Sequence, residues 1–219
     1  MSRGLGDVYK RQYDAYPNIE KRAMALADVL RNMTIYIEEE QLLAGNQASS
    51  NRAAPLFPEY AFAYILDELD DLEKRSSDKF TITEENKKVL REILPWWEGK
   101  TLKDRAIAMQ PQEVLDDRVT GVLGWQGNVS TGEGHIVPDY DMGVRLGFAG
   151  LRDKIQKHID ELDLSKPQDL EKLTFYRACK AIIDGCLDYI KRYCILAEEQ
   201  AEQCKDCLLY TSPSPRDTR

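Results

Sequence analysis

Two histidines and five cysteines are the side chains of this 219-residue chain best suited to moving a proton or binding a metal. Cys179, Cys186 and Cys194 recur at spacings that put them near one face of a helix. Thiols on such a stripe are usually small core hydrophobes. A metal site would need histidine or paired cysteine partners nearby, so no metal ligands are assigned. His158 lies beside Ile155, Ile159 and Leu162, at the edge of another apolar stripe. His135 has a different setting, after Ser130-Thr131-Gly132-Glu133-Gly134 and before Ile136-Val137-Pro138-Asp139-Tyr140. An imidazole in a bend of small residues can reach a ligand as donor or acceptor near neutral pH. The same context suits a loop histidine bonded to the backbone, and the residues alone leave both readings open.

Other candidate motifs are weaker. Gly121, Gly124, Gly127, Gly132 and Gly134 form a glycine-dense stretch. It has neither the Gly-Lys-Ser/Thr of a P-loop nor the Gly-x-Gly-x-x-Gly dinucleotide spacing, and a loop packed against the core is expected. Asn128-Val129-Ser130 fits a glycosylation triplet, a pattern common by chance. The stretch Gly45 to Arg52 reads as a polar loop, or as part of a substrate or subunit surface.

The elements that must position these residues are mostly helical. After Pro17, Ile19, Ala23, Leu26, Leu30 and Met33 mark an amphipathic helix. Thr34 to Ile37 and Leu42-Leu43-Ala44 read as short buried extended pieces around an acidic turn, Glu38 to Glu40. Pro58 is expected to open a helix carrying Phe62, Ile65, Leu69 and Leu72. Thr83 is a good N-cap for a helix with Val89, Leu90, Ile93, Leu94 and Trp97. Thr101 and Asp104 suggest a capping box with Asp in place of Glu or Gln. After Pro138, Val144, Phe148, Leu151, Ile155, Ile159 and Leu162 predict a helix, and Pro167 precedes a final long one. The expected fold class is mainly α with a few short strands, near Ile35 to Ala44 and Gly124 to Val137.

The two ends read as artefact. Ser2 to Gln12 and Cys207 to Asp217 can be encoded by complementary strands of one DNA, one base out of register, and resemble an inverted pair of sequencing adapters. Residues 1–12 and 207–219 are therefore expected to be adapter-derived, to lack a core-packed element, and to flank a natural segment, 13–206, truncated at both ends. On this reading Cys204-x-x-Cys207 is no redox or zinc motif. The whole chain carries 30 basic and 38 acidic residues, a net charge of −8, and the segment 13–206 is more acidic still. An acidic excess argues against nucleic acid as a partner, whose binding rests on neutralising phosphates. No apolar run reaches the roughly 18–20 residues that span a bilayer, so no membrane partner is expected. The sparse, odd cysteine count suits the cytoplasm.

A family resemblance extends this reading. Gly45-Asn46-Gln47 through Ala53-Ala54-Pro55-Leu56-Phe57-Pro58-Glu59-Tyr60, then Asp67-Glu68-Leu69-Asp70, resembles the N-terminal region of glycyl radical enzymes of the pyruvate formate-lyase type. Gly134-His135-Ile136-Val137-Pro138-Asp139-Tyr140, with Gly147, Gly150 and Leu151 after it, is similar to a second block of that family. The closest likeness is to the branch holding B12-independent glycerol and propanediol dehydratases. The resemblance implies an N-terminal helical part packed outside a ten-stranded α/β barrel. It also implies a homodimeric parent enzyme acting on a small hydroxylated substrate. That parent would carry a glycyl radical, installed by an activating enzyme that uses S-adenosylmethionine and an iron–sulfur cluster. The radical-glycine motif (Arg-Val-x-Gly-Tyr) and the Gly-Cys-x-Glu loop are both absent from this sequence. Gly185-Cys186-Leu187-Asp188 is a near-miss inside a predicted helix, so no catalytic residue and no bound cofactor are assigned. The resemblance implies one site residue, His135, as a contact to a substrate hydroxyl. Other specificities stay open: acyl transfer to coenzyme A by a formate C-acetyltransferase, choline lyase action, or decarboxylation. A non-catalytic helical interaction domain is the alternative from another class.

Overall fold

A computed structural model describes residues 13, 15–39, 41–51, 53, 55–77, 79–122 and 136–203. The chain divides into two compact units, Ala54–Asp139 and Gly4–Ala53 with Tyr140–Arg219. Each is helical.

The first unit holds α2 (Ala63–Glu68), α3 (Glu84–Ile93), a 3-10 turn (Leu94–Trp97), α4 (Leu102–Ala108) and α5 (Gln112–Val119). Its core joins Ile65, Leu94 and Trp97, flanked by Leu56, Phe62, Leu66 and Leu90. The expected Thr83 cap is present: its side chain accepts from the Asn86 amide at 3.2 Å. Pro95 has no N–H to continue an α-helix, so α3 tightens into the 3-10 turn that buries Leu94 and Trp97. The Thr101–Asp104 capping box also forms, with Thr101 almost fully buried. The next two amides, of Leu102 and Lys103, donate to the carbonyls of Glu59 and Tyr60 at 2.9 and 3.0 Å. The donors that a helix start leaves free are thereby used. The helix after Pro58 is shorter than its apolar spacing suggests. Asp70 and Asp71 would oppose the dipole at its C-terminal end, and Asp70 instead meets Arg91 at 2.6 Å and Lys87 at 3.5 Å.

In the second unit, α1 (Asn18–Asn32) and α6 (Tyr140–Asp160) each pack on α7 (Pro167–Gln203). The α1 face against α7 is built from alanines: Ala23 and Ala27 are buried, whereas Ile19 and Leu26 are half exposed. Small residues let the backbones approach. A Cβ added at Gly185 of α7 would lie 2.7 Å from the Ala27 Cα. Arg31 and Asp188 tie the same pair of helices at 2.6 Å. On the other side, Arg152 pairs with Asp184 at 2.9 Å and His158 stacks on Tyr176.

The expected short strands do not form among the described residues. Residues 34–38 run without regular structure, and side chains take carbonyls of this segment and of the end of α1 before it. Arg192 donates to Leu30 and Met33 oxygens at 2.8 and 2.6 Å. Asn46 donates to the Thr34 oxygen at 2.9 Å and Gln200 to the Ile37 oxygen at 3.3 Å. Nor is Leu42-Leu43 a buried piece: the two residues are 96% and 84% exposed. Of the second expected strand, Gly124 to His135 lies outside the described residues, and Ile136 and Val137 are not in a strand. Residues 1–12 and 207–219, the ends expected to be adapter-derived, also lie outside the described residues.

Candidate functional site

The polar loop beginning at Gly45, one of the stretches singled out in the sequence, is the best-built polar feature among the described residues. Its centre is Asn46, held by two tyrosines one helical turn apart on α7. The Asn46 amide donates to the Tyr189 hydroxyl at 3.0 Å, and that hydroxyl donates to the Asn46 carbonyl at 2.9 Å. The Tyr193 hydroxyl donates to Asn46 Oδ1, while Asn46 Nδ2 donates to the Thr34 and Ala48 carbonyls. Every polar group of Asn46 is thus engaged. Burial first, then the Tyr189 hydroxyl, pushes the Tyr193 phenol far above its usual range. The Tyr193 hydroxyl stays a neutral donor at physiological pH. Beside them, Tyr36, Asn46, Gln47 and Ser50 line an open polar hollow of about 340 Å³.

A second clamp shapes residues 38–45. The Gln41 Oε1 accepts from the Glu38 amide at 3.0 Å, and its Nε2 donates to the Leu43 carbonyl at 2.6 Å. Sequence reasoning missed Gln41 and Tyr189. The readable signal was the i, i+4 pair of tyrosines on a helix facing a polar loop, since buried tyrosine hydroxyls seek partners.

The predicted site residues fare differently. His135, Asn128 and the glycine stretch beyond Gly121 lie outside the described residues. Of the block after His135, Ile136, Val137 and Tyr140 are strongly exposed. It enters α6, which breaks at Gly147, where φ is +60° and ψ 179°, a conformation natural to glycine. The three described cysteines are free thiols on α7. Burial pushes the Cys179 and Cys186 thiols up, away from the thiolate. With Gly185 seated against Ala27, Gly185-Cys186 is a helix contact rather than an exposed catalytic loop. Among the described residues, no group of three or more His, Cys, Asp or Glu side chains is placed to hold a metal. No described helix is long and apolar enough to cross a membrane.

Comparison with known proteins places the chain. A family model described as pyruvate formate lyase-like matches residues 3–208. The chain belongs to this family. It is 36% identical over 195 residues to the probable dehydratase YbiW of Escherichia coli (strain K12), covering 89% of this chain and 24% of that protein. Among solved structures, it is similar to the glycerol-bound form of the B12-independent glycerol dehydratase from Clostridium butyricum. The TM-score is 0.88 at 28% identity, over 95% of this chain and 26% of that one. A glycyl radical enzyme from Archaeoglobus fulgidus superposes with TM-score 0.86 at 30% identity, over 95% and 27%. The family's relatives are glycyl radical dehydratases and lyases, and the chain spans about a quarter of their length.

Proposed function

We propose that this chain is the N-terminal part of a cytoplasmic glycyl radical lyase that removes water from a diol or polyol. The observation that carries the reading is the match over nearly the whole chain to a dehydratase in sequence and to a glycerol dehydratase in structure. In this reading residues 13–206 contribute helices packed outside a ten-stranded barrel, in a homodimer activated by a separate radical-generating enzyme. The residues present do not fit the radical machinery itself: Cys186 is half-buried in a helix contact and both radical motifs are absent. This polypeptide alone is therefore inactive.

The chemical task of this part is recognition. His135 donates to or accepts from a substrate hydroxyl, which orients the diol and assists departure of the hydroxyl. In the sequence its preceding neighbours, Ser130 to Gly134, are mostly small, a context that suits a ligand. The test uses the completed enzyme, obtained by extending the reading frame past the adapter-like ends. After anaerobic activation, glycyl radical is measured by electron paramagnetic resonance and turnover by aldehyde release from glycerol and 1,2-propanediol. The expected result is diol dehydration. His135→Ala should weaken productive substrate binding by about 1–3 kcal/mol with radical formation intact, the usual effect of leaving a buried polar group unpaired. A full radical signal without dehydration of any diol overturns the dehydratase assignment. Unchanged kinetics in His135→Ala remove that residue from the site.

A further inference from the structure

We infer that Gly147 and Gly150 form a fixed joint in α6 that positions His135 for its substrate hydroxyl. The inference rests on the proposed role of His135 and adds two positioning residues to it. Three observations carry it. First, Gly147 interrupts α6 with φ +60° and ψ 179°, a backbone region open in practice to glycine alone. Second, the break folds the first arm of α6, residues 140–146, back over the second. Residues twelve apart in a continuous helix lie about 18 Å apart along its axis, yet the Lys154 ammonium donates to Met142 Sδ at 3.2 Å. A Cβ added at Gly150 would lie 3.1 Å from the Leu146 Cβ, so glycine there makes the room that Leu146 needs. Third, the second arm is anchored and the link ahead of the first is stiff. Arg152 pairs with Asp184 at 2.9 Å, Lys180 donates to Gln156 at 2.5 Å and His158 stacks on Tyr176. Ahead of Tyr140, the link Ile136 to Asp139 contains Pro138, which fixes its own φ and holds Val137 away from helical backbone. An orientation set at Gly147 thus passes along the chain to position 135 through few free torsions.

The test uses the completed, activated enzyme with Gly147→Ala, Gly150→Ala and Gly143→Ala. The last is an arm glycine whose added Cβ meets nothing within 4 Å. Deuterium exchange needs no substrate. In Gly147→Ala it should rise at least about threefold in a peptide spanning 136–146 and not in one spanning 150–160. Equal exchange in the first peptide, or a rise in both, overturns the joint. With the radical signal intact, KM for the diol should rise at least about threefold in Gly147→Ala, while kcat holds and Gly143→Ala matches the wild type. In a His135→Ala background Gly147→Ala should add nothing, because both changes remove the same contact. A smaller rise in KM, or the same rise in that background, overturns the positioning role. Should Gly147→Ala fail to fold or to take up the radical, Gly150→Ala is read in its place. Failure of both reduces the joint to a support of the fold and defeats the inference. The dehydratase reading fails separately, as wild-type enzyme with a full radical signal and no diol turnover, where exchange still decides the joint.

Discussion

Asn46 shows how one side chain can set a loop that sequence patterns leave open. The amide side chain has two donors and an acceptor, and the backbone adds one of each; all are used against α7, Thr34 and Ala48. Asn46→Ala strands the buried Tyr193 hydroxyl and frees the loop. The expected loss is about 2 kcal/mol of local stability, which exchange at the position-46 amide reports as a roughly 30-fold rise. A rise of less than threefold would mean that α7 holds the loop without this residue. Gly185 is a sharper case because two effects oppose. Alanine in a helix interior gains up to about 1 kcal/mol over glycine, but a Cβ here meets Ala27 backbone at 2.7 Å, which cannot swing aside. Overpacking of about 1–3 kcal/mol should win. Gly185→Ala should lower the urea midpoint of the helical signal, while Gly143→Ala, with nothing within 4 Å of its added Cβ, should not.

At the scale of elements, the sequence was most legible where a local chemical rule decides the outcome. Thr83, the Thr101–Asp104 pair and Pro167 mark helix starts that formed as read. The helix expected to carry Leu94 and Trp97 instead stops at Ile93, because Pro95 removes a donor and the chain tightens into a 3-10 turn. Strands were misread at Ile35 to Ala44 because a β-like pattern specifies burial on a surface, not which groups take the carbonyls. Here the Ile37 carbonyl goes to Gln200 and the Leu43 carbonyl to Gln41, while the residues just before, Met33 and Thr34, give theirs to Arg192 and Asn46. The apolar stripe of α1 was found, but which side packs depended on Gly185, a residue more than 150 positions away. The candidate site was legible only through family resemblance, since His135 by itself reads equally well as a loop residue. One further element-scale contact gives a pH prediction. The Tyr13 hydroxyl donates to Asp28 of α1 at 2.5 Å, and chiefly through that bond its pKa rises from 10.0 to about 12. A phenol whose folded pKa is raised stabilises fully below the unfolded value and loses that contribution as pH climbs through the folded one. Stability of the α1 contact should therefore fall between about pH 10 and 12. Tyr13→Phe should lessen that fall; an identical pH profile in the variant would exclude the Tyr13–Asp28 bond as its source.

On the scale of the whole molecule, what matters is how much apolar surface is left uncovered. Val119, Val122, Val137, Val144 and Met109 are each more than 80% exposed, as are Leu42 and Leu43. A polypeptide that folded to completion by itself would rarely leave so many large apolar side chains in water. Among the described residues, the core cluster of the first unit centres on three buried residues, and the second unit buries mainly alanines, whose removal from water contributes little per residue. Two small units with thin cores give little reason for one cooperative transition. The isolated 219-residue chain should bind an environment-sensitive hydrophobic dye, associate as its concentration rises, and lose helical signal gradually over a broad range of urea. On the proposed reading it should also show no lyase turnover when incubated with a radical-activating enzyme and diol, because neither family motif for storing or relaying the radical occurs in its sequence. A monomer that does not bind the dye and unfolds in one steep step would show that these faces need no cover. Turnover by this polypeptide alone would go further, since it would place radical chemistry within residues where neither family motif occurs.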